Sequence, residues 1–144
     1  MSLKIHRSAL VLHSSKRMFE LVNDVTAYPQ FLPWCAGSHI LDHGDGFMIA
    51  RLDVSKGAVR QSFTTRNEYV NDGEISMSLV DGPFSRLSGR WNFKHLDDNA
   101  SKVELFLEFD LKKSLSRVAF GPIFNQAANS MVDAFCERAD VVYR

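Results

Sequence analysis

Lys102-Val103-Glu104-Leu105-Phe106-Leu107-Glu108-Phe109-Asp110-Leu111-Lys112 is the stretch that decides the fold class, because its side chains alternate and the alternation then stops. Val103, Leu105, Leu107, Phe109 and Leu111 fall on one face of an extended chain, with Lys102, Glu104, Glu108, Asp110 and Lys112 on the other and Phe106 as the exception. This is the period of a half-buried strand. Beyond Ser114 the period becomes about 3.6: Phe120, Phe124, Ala127, Met131, Phe135 and Val142 follow one stripe, and Gln126, Asp133, Glu137 and Asp140 are left for the wet side. Gly121-Pro122 interrupts the start, so the pattern predicts a short helical turn, a kink, and a long helix over about 122 to 142.

Working back from that strand, turn residues divide the chain into further period-two segments. Asp97-Asp98-Asn99, Asp81-Gly82-Pro83, Asn71-Asp72-Gly73, Ser55-Lys56-Gly57 and Asp42-His43-Gly44-Asp45-Gly46 separate strands predicted at 87 to 96, 74 to 80, 58 to 70, 47 to 54 and 38 to 42. Residues 3 to 12 also alternate, with Leu3, Ile5, Ala9 and Val11 opposing Lys4, His6 and Ser8. Ser14 or Ser15 can cap a helix carrying Met18, Leu21, Val22 and Val25, which ends before Tyr28-Pro29. An antiparallel sheet of this size leaves one apolar face uncovered, and the C-terminal helix is the element able to cover it. The chain reads as a single α+β domain over residues 1–144, without repeats or a dividing linker.

Tyr28-Pro29-Gln30-Phe31-Leu32-Pro33-Trp34-Cys35 concentrates large apolar side chains between prolines that exclude regular structure. It must be an apolar loop or a broken helical turn. Tyr28, Phe31, Leu32 and Trp34 therefore either cap a hydrophobic interior as a lid or present an apolar surface to a partner, and plain packing onto the core is the alternative for each.

Lys plus Arg and Asp plus Glu number 17 each, so no global charge advertises nucleic acid. Eleven Phe, three Tyr and two Trp supply ample material for a packed interior or a lined cavity. No apolar run approaches the ~20 residues of a membrane span, and no secretion signal opens the chain, which reads as a soluble, cytoplasmic protein. Cys35 and Cys136 lack metal-type spacing and read as buried free thiols. His6, His13, His39, His43 and His95 form no ligand constellation, since His39 and His43 fall where a strand meets a turn. No nucleophile elbow, phosphate loop or dinucleotide fingerprint occurs, and Arg51 with Asp53 reads as an exposed-face pair. We expect no catalytic residue, no metal and no cofactor.

Three separated motifs carry a resemblance that covers essentially the whole chain. They are Tyr28-Pro29 with Phe31 to Cys35; Asp81-Gly82-Pro83-Phe84 followed by Leu87, Gly89, Trp91 and Phe93; and Met131-Val132 with Ala134-Phe135 and Arg138-Ala139. The sequence resembles the START-like, helix-grip superfamily of polyketide cyclases and lipid transporters. Within it, the chain looks like the bacterial ribosome-association toxins and their mitochondrial relatives, the coenzyme Q-binding proteins. Asp81 to Phe84 and Phe63-Thr64-Thr65-Arg66-Asn67 favour the bacterial branch.

The resemblance implies a curved seven-stranded antiparallel sheet wrapped around the long helix, with an apolar tunnel between them. Phe63, Phe84, Leu87, Trp91 and Phe93 would line it from the sheet, Phe124, Met131 and Phe135 from the helix, with the aromatic lid above. The implied function is non-enzymatic binding of an apolar ligand, a ubiquinone-type prenyl quinone, in support of respiration. An alternative is a toxin that binds the large ribosomal subunit and blocks subunit association. Arg60 with Arg66, and Arg86 with Arg90, could then meet RNA phosphates around Ser76 and Ser78, or form a merely solvated face beside Glu68 and Glu74. A weaker alternative, a polyketide cyclase, needs polar groups inside the tunnel, for which the sequence offers Gln61, Thr65 and Asn67.

Overall fold

The computed structural model describes residues 3–71, 73–112 and 120–143. In chain order it contains β1 (Leu3–Val11), α1 (Ser15–Asn23), a short 3-10 helix (Val25–Gln30), β2 (Cys35–Gly44), β3 (Phe47–Lys56), β4 (Val59–Asn71), β5 (Glu74–Asp81), β6 (Phe84–Asp97), β7 (Ala100–Leu111) and α2 (Phe120–Val142). Strands β2 to β7 follow one another as antiparallel hairpins, and β1 closes the far edge against β7, giving the order β1-β7-β6-β5-β4-β3-β2. The α+β helix-grip architecture is thus present: a seven-stranded antiparallel sheet with the helices packed on one face.

Local chemistry accounts for the element ends. The Ser14 hydroxyl accepts from the Arg17 amide at 3.2 Å and caps α1, whose Met18, Leu21 and Val22 are buried. Gly46 and Gly57 take the positive φ values, 76° and 60°, that tight turns require. β7 alternates as read, with Val103, Leu105 and Phe109 almost fully buried. Each such side chain contributes ~1.5–3 kcal/mol relative to exposure.

Several boundaries differ from the sequence expectation. The N-terminal helix stops at Asn23, and Val25 belongs to the 3-10 helix that also carries Tyr28 and Pro29. The proline-rich stretch is therefore a broken helical turn. β2 and β6 are longer than predicted and begin at Cys35 and Phe84, because strand pairing extends as far as neighbours supply partners. No break precedes residue 122 in α2: the helix is continuous from Phe120, and Pro122 sits in its first turn, where an amide has no intrahelical partner to lose. The short turn expected before it, and Asp72, lie outside the described residues. Val142 is exposed rather than buried. The buried seam runs instead through Phe135 and Ala139 to Tyr143, whose hydroxyl donates to the Arg17 carbonyl at 3.2 Å.

Candidate functional site

Along α2 the large rings stand apart. Phe124 gathers Phe63, Phe84 and Phe109, with ring centroids at 5.6, 4.8 and 4.8 Å, while Phe135 gathers Tyr28, Phe31 and Trp91 at 5.2, 5.2 and 5.4 Å. Between the two clusters the helix turns the small Ala127 and Ala128 and the unbranched Met131 toward open space, while Val132 is buried in the core. A cavity of about 70 Å3 lies there. Its sheet side is formed by Ala50 and Leu52 of β3, Phe63, Thr65 and Asn67 of β4, Met77 of β5, Leu87 and Trp91 of β6, and Leu105 and Leu107 of β7. Val25, Tyr28 and Trp34 close it from the broken turn.

Seven of the residues expected to line a tunnel border this small cavity: Tyr28, Trp34, Phe63, Leu87, Trp91, Phe124 and Met131. Five others pack in or against the core instead. Leu32 and Phe84 are each 1% exposed, Phe135 is fully buried, Phe93 stacks on Trp91 and meets Phe19 edge-on, and Phe31 packs its edge on Tyr28 and Phe135. A tunnel wide enough for all twelve would need facing positions left empty, and rings fill those positions. Val25, Ala50, Leu52, Met77, Leu105, Leu107, Ala127 and Ala128 were missed. Inward alternation could have flagged the strand members, but small residues opposite large ones give no sequence signal.

Polar groups in the cavity are few. The Thr65 hydroxyl donates to Asn67 Oδ1 at 2.8 Å, and Gln61 lies elsewhere, in a groove beside Asp53 and Arg60. The Tyr28 hydroxyl donates to the Val22 carbonyl, and burial raises its pKa far out of the physiological range. Trp34 is different. Its indole nitrogen is buried, yet among the described residues it has no acceptor. A buried donor in that state costs about 1–3 kcal/mol. Trp34 also belongs to a second, outer groove of about 250 Å3 with Pro33, Ser55, Lys56, Ile123, Gln126, Ala127 and Ser130. Trp34 and Ala127 are thus common walls of cavity and groove.

Neither thiol is poised for nucleophilic chemistry, since burial chiefly pushes both Cys35 and Cys136 up to about 11. No group of three or more metal-ligating side chains occurs among the described residues. His39 instead meets Asp53 at 3.2 Å, and Asp53 also accepts from Ser62 at 2.6 Å and Arg51 at 2.9 Å on the outer sheet face. The Ser62 hydroxyl, more than Arg51 or His39, holds the Asp53 carboxyl below its usual range against the opposing effect of burial.

The outer face places the four arginines around β5 only in part. Ser78 pairs with Arg66 and Ser76 with Arg90, whereas Arg60 is opposite Ser55 and Arg86 opposite Asp110. Arg66 is bonded to Glu68 at 2.8 Å and lies over the Phe47 ring, and Arg86 is bonded to Glu108 at 2.6 Å. Phe106, the exception to the β7 alternation, stands between His6, stacked at 4.2 Å, and the Arg90 guanidinium at 4.3 Å.

Comparison with known proteins agrees with this architecture. The family model described as polyketide cyclase / dehydrase and lipid transport matches residues 11–136. The ribosome association toxin RatA of Pseudomonas aeruginosa is 49% identical over 143 residues, covering 99% of each chain. The mitochondrial coenzyme Q-binding protein COQ10 of Dictyostelium discoideum is a distant relative, 24% identical over 131 residues, or 88% of this chain and 64% of that one. Among solved structures, the Zhui aromatase/cyclase from Streptomyces superposes with a TM-score of 0.86 over 100% of this chain and 97% of its own, at 17% identity, which speaks for the fold alone. No helix among the described residues is long and apolar enough to cross a membrane. The chain belongs to the START-like polyketide cyclase and lipid-transport family, in the branch whose members are named ribosome association toxins.

Proposed function

We propose that this protein binds an apolar ligand of the prenyl-quinone type between its sheet and α2, without performing chemistry on it. The observation that carries the reading is the cavity wall: apolar side chains throughout, apart from the mutually bonded Thr65 and Asn67 and the Tyr28 hydroxyl. None of these can serve as an acid or base near neutral pH, so the wall is suited to holding rather than converting. A distant relative named a coenzyme Q-binding protein supports the same ligand class. At about 70 Å3 the cavity is under half the size of the ~150 Å3 apolar cavity that admits benzene. Binding must therefore enlarge it, and Met77 and Met131 are unbranched side chains able to move aside.

Thermal melting with and without a short-chain quinone tests this. A ligand bound only by the folded chain stabilises it by ~2.7 kcal/mol at a hundredfold excess over the dissociation constant. An unchanged midpoint at saturating quinone would rule the ligand class out.

A second reading, association with the large ribosomal subunit in the cytoplasm, is favoured by the name of relatives at 49% identity. The outer face would serve it through Arg60 and Arg90, for which no ion pair occurs among the described residues, with Arg66 and Arg86 exchanging their carboxylates for phosphate. The two readings use opposite faces of one sheet. Replacing all four arginines by Gln should leave quinone protection intact and weaken co-sedimentation with large subunits, with a smaller salt dependence. Co-sedimentation equal to the parent's at several salt concentrations would remove this face as the contact.

A further inference from the structure

We propose that the outer face of the sheet carries a site for one unpaired, amino-bearing nucleobase of RNA, centred over Ser76. The inference rests on the ribosomal reading above and adds a stacked base to its arginine–phosphate contacts. Strand register carries it. His6 of β1, Phe106 of β7, Arg90 of β6 and Ser76 of β5 are direct cross-strand partners, so their side chains stand in one row on the outer face. Neighbouring strands lie ~4.8 Å apart, within the range of stacked planar groups. The first three places of the row are filled accordingly: His6 and Phe106 stack at 4.2 Å with 16° between their planes, and the Arg90 guanidinium carbon lies 4.3 Å from the Phe106 ring centre. Glu104 bonds the His6 ring at 3.1 Å and steadies that end of the column.

The fourth place differs. Ser76 is too short to continue the column, and a groove of about 680 Å3 lies over it, bounded by Glu74 and Ser78 on β5 and by Ser88 and Arg90 on β6. Because Arg90 leans onto Phe106, its other side faces this space. A planar group seated there stacks on a guanidinium already held by an aromatic ring, a mode by which proteins take up unstacked bases. Its edges meet the residues two places away on the same face of β5. Glu74 accepts from an exocyclic amino group, and the Ser78 and Ser88 hydroxyls serve either polarity. Glu108, the other acid of the groove, is held by Arg86 at 2.6 Å. Lys4 flanks the groove on one side and Arg66, opposite Ser78, on the other. An open groove between two cations suits a phosphate-bearing strand that runs through it, whereas a free nucleotide calls for an enclosed pocket.

Ser76→Phe fills the fourth place with a ring, and Phe106→Leu removes the ring behind Arg90; both leave every charge in place. Fluorescence anisotropy with short labelled oligoadenylate and oligouridylate, and co-sedimentation with large ribosomal subunits, test the site. We expect the parent to bind oligoadenylate about fivefold or more tightly than oligouridylate, which lacks the amino group, a preference read without any variant and narrowed by Glu74→Gln. Each ring variant should keep the parent's urea midpoint and salt dependence, yet bind oligoadenylate and subunits about fivefold or more weakly. Subunit binding unchanged in both ring variants overturns the inference and leaves the ribosomal reading standing. Equal binding of the two oligonucleotides by the parent overturns the amino-base assignment, and competition by free AMP as effective as that of oligoadenylate overturns the choice of RNA. Oligoadenylate binding that Ser76→Phe weakens, without any co-sedimentation of the parent, upholds the base site and removes the ribosomal reading. Binding of neither removes both.

Discussion

The two faces of one sheet are built from the same strands and differ in how they treat polar groups. On the inner face, the few polar groups of the cavity wall are bonded within the protein, Thr65 to Asn67 and the Tyr28 hydroxyl to the Val22 carbonyl, and the rest is apolar. On the outer face, Arg66 and Arg86 hold carboxylates, and Arg51 and His39 share Asp53. Solvent screens these pairs, and each is worth little. The comparison teaches that packing energy is concentrated inside, while the outside keeps charges that can be exchanged cheaply for a partner's.

The strongest way to break this contrast is Phe135→Ala. The side chain is fully buried among three aromatic rings, and its removal should cost about 3–5 kcal/mol, read as a lower urea midpoint at unchanged slope. A loss of under about 1 kcal/mol would mean that the inner face is less tightly packed than its geometry states.

Stability of the four-arginine Gln variant sharpens the other side. Two of its positions lose surface ion pairs worth ~0–1 kcal/mol each, and this loss should shrink further in high salt. A salt-insensitive loss as large as that of Phe135→Ala would make the outer face structural rather than exchangeable.

The smallest effect belongs to Asp53 and depends on pH. Because its folded-state pKa is depressed, the unfolded chain binds the proton more readily, so the contribution is complete above the unfolded value of ~3.9 and disappears as pH falls through the folded value. Asp53→Asn should therefore cost under about 1 kcal/mol from pH 7 down to about 5, and the difference from the parent should close below about pH 4. A difference that persists into stronger acid would show that the carboxylate's charge is not what the cluster uses.

The order of strands, the capped first helix and the covering second helix were legible because each rests on periodicity and turn chemistry, which act over a few neighbouring residues. Even the Phe106 exception was visible in the alternation of β7, and the structure turns it into a ring held between His6 and Arg90. Which inward residues border empty space was not legible. Phe84, Leu87, Trp91 and Phe93 all look equivalent along β6, yet Phe84 meets Phe124 and Phe93 meets Phe19, while Leu87 and Trp91 border the cavity that Ala127, Ala128 and Met131 leave open. That outcome depends on what a helix some forty residues away places opposite each strand position. The unpaired Trp34 donor is of the same kind, since hydrogen-bond satisfaction depends on every group that folding brings within reach. Periodicity assigns a face to each residue; packing across the sheet and helix decides whether that face is filled, open or waiting for a partner.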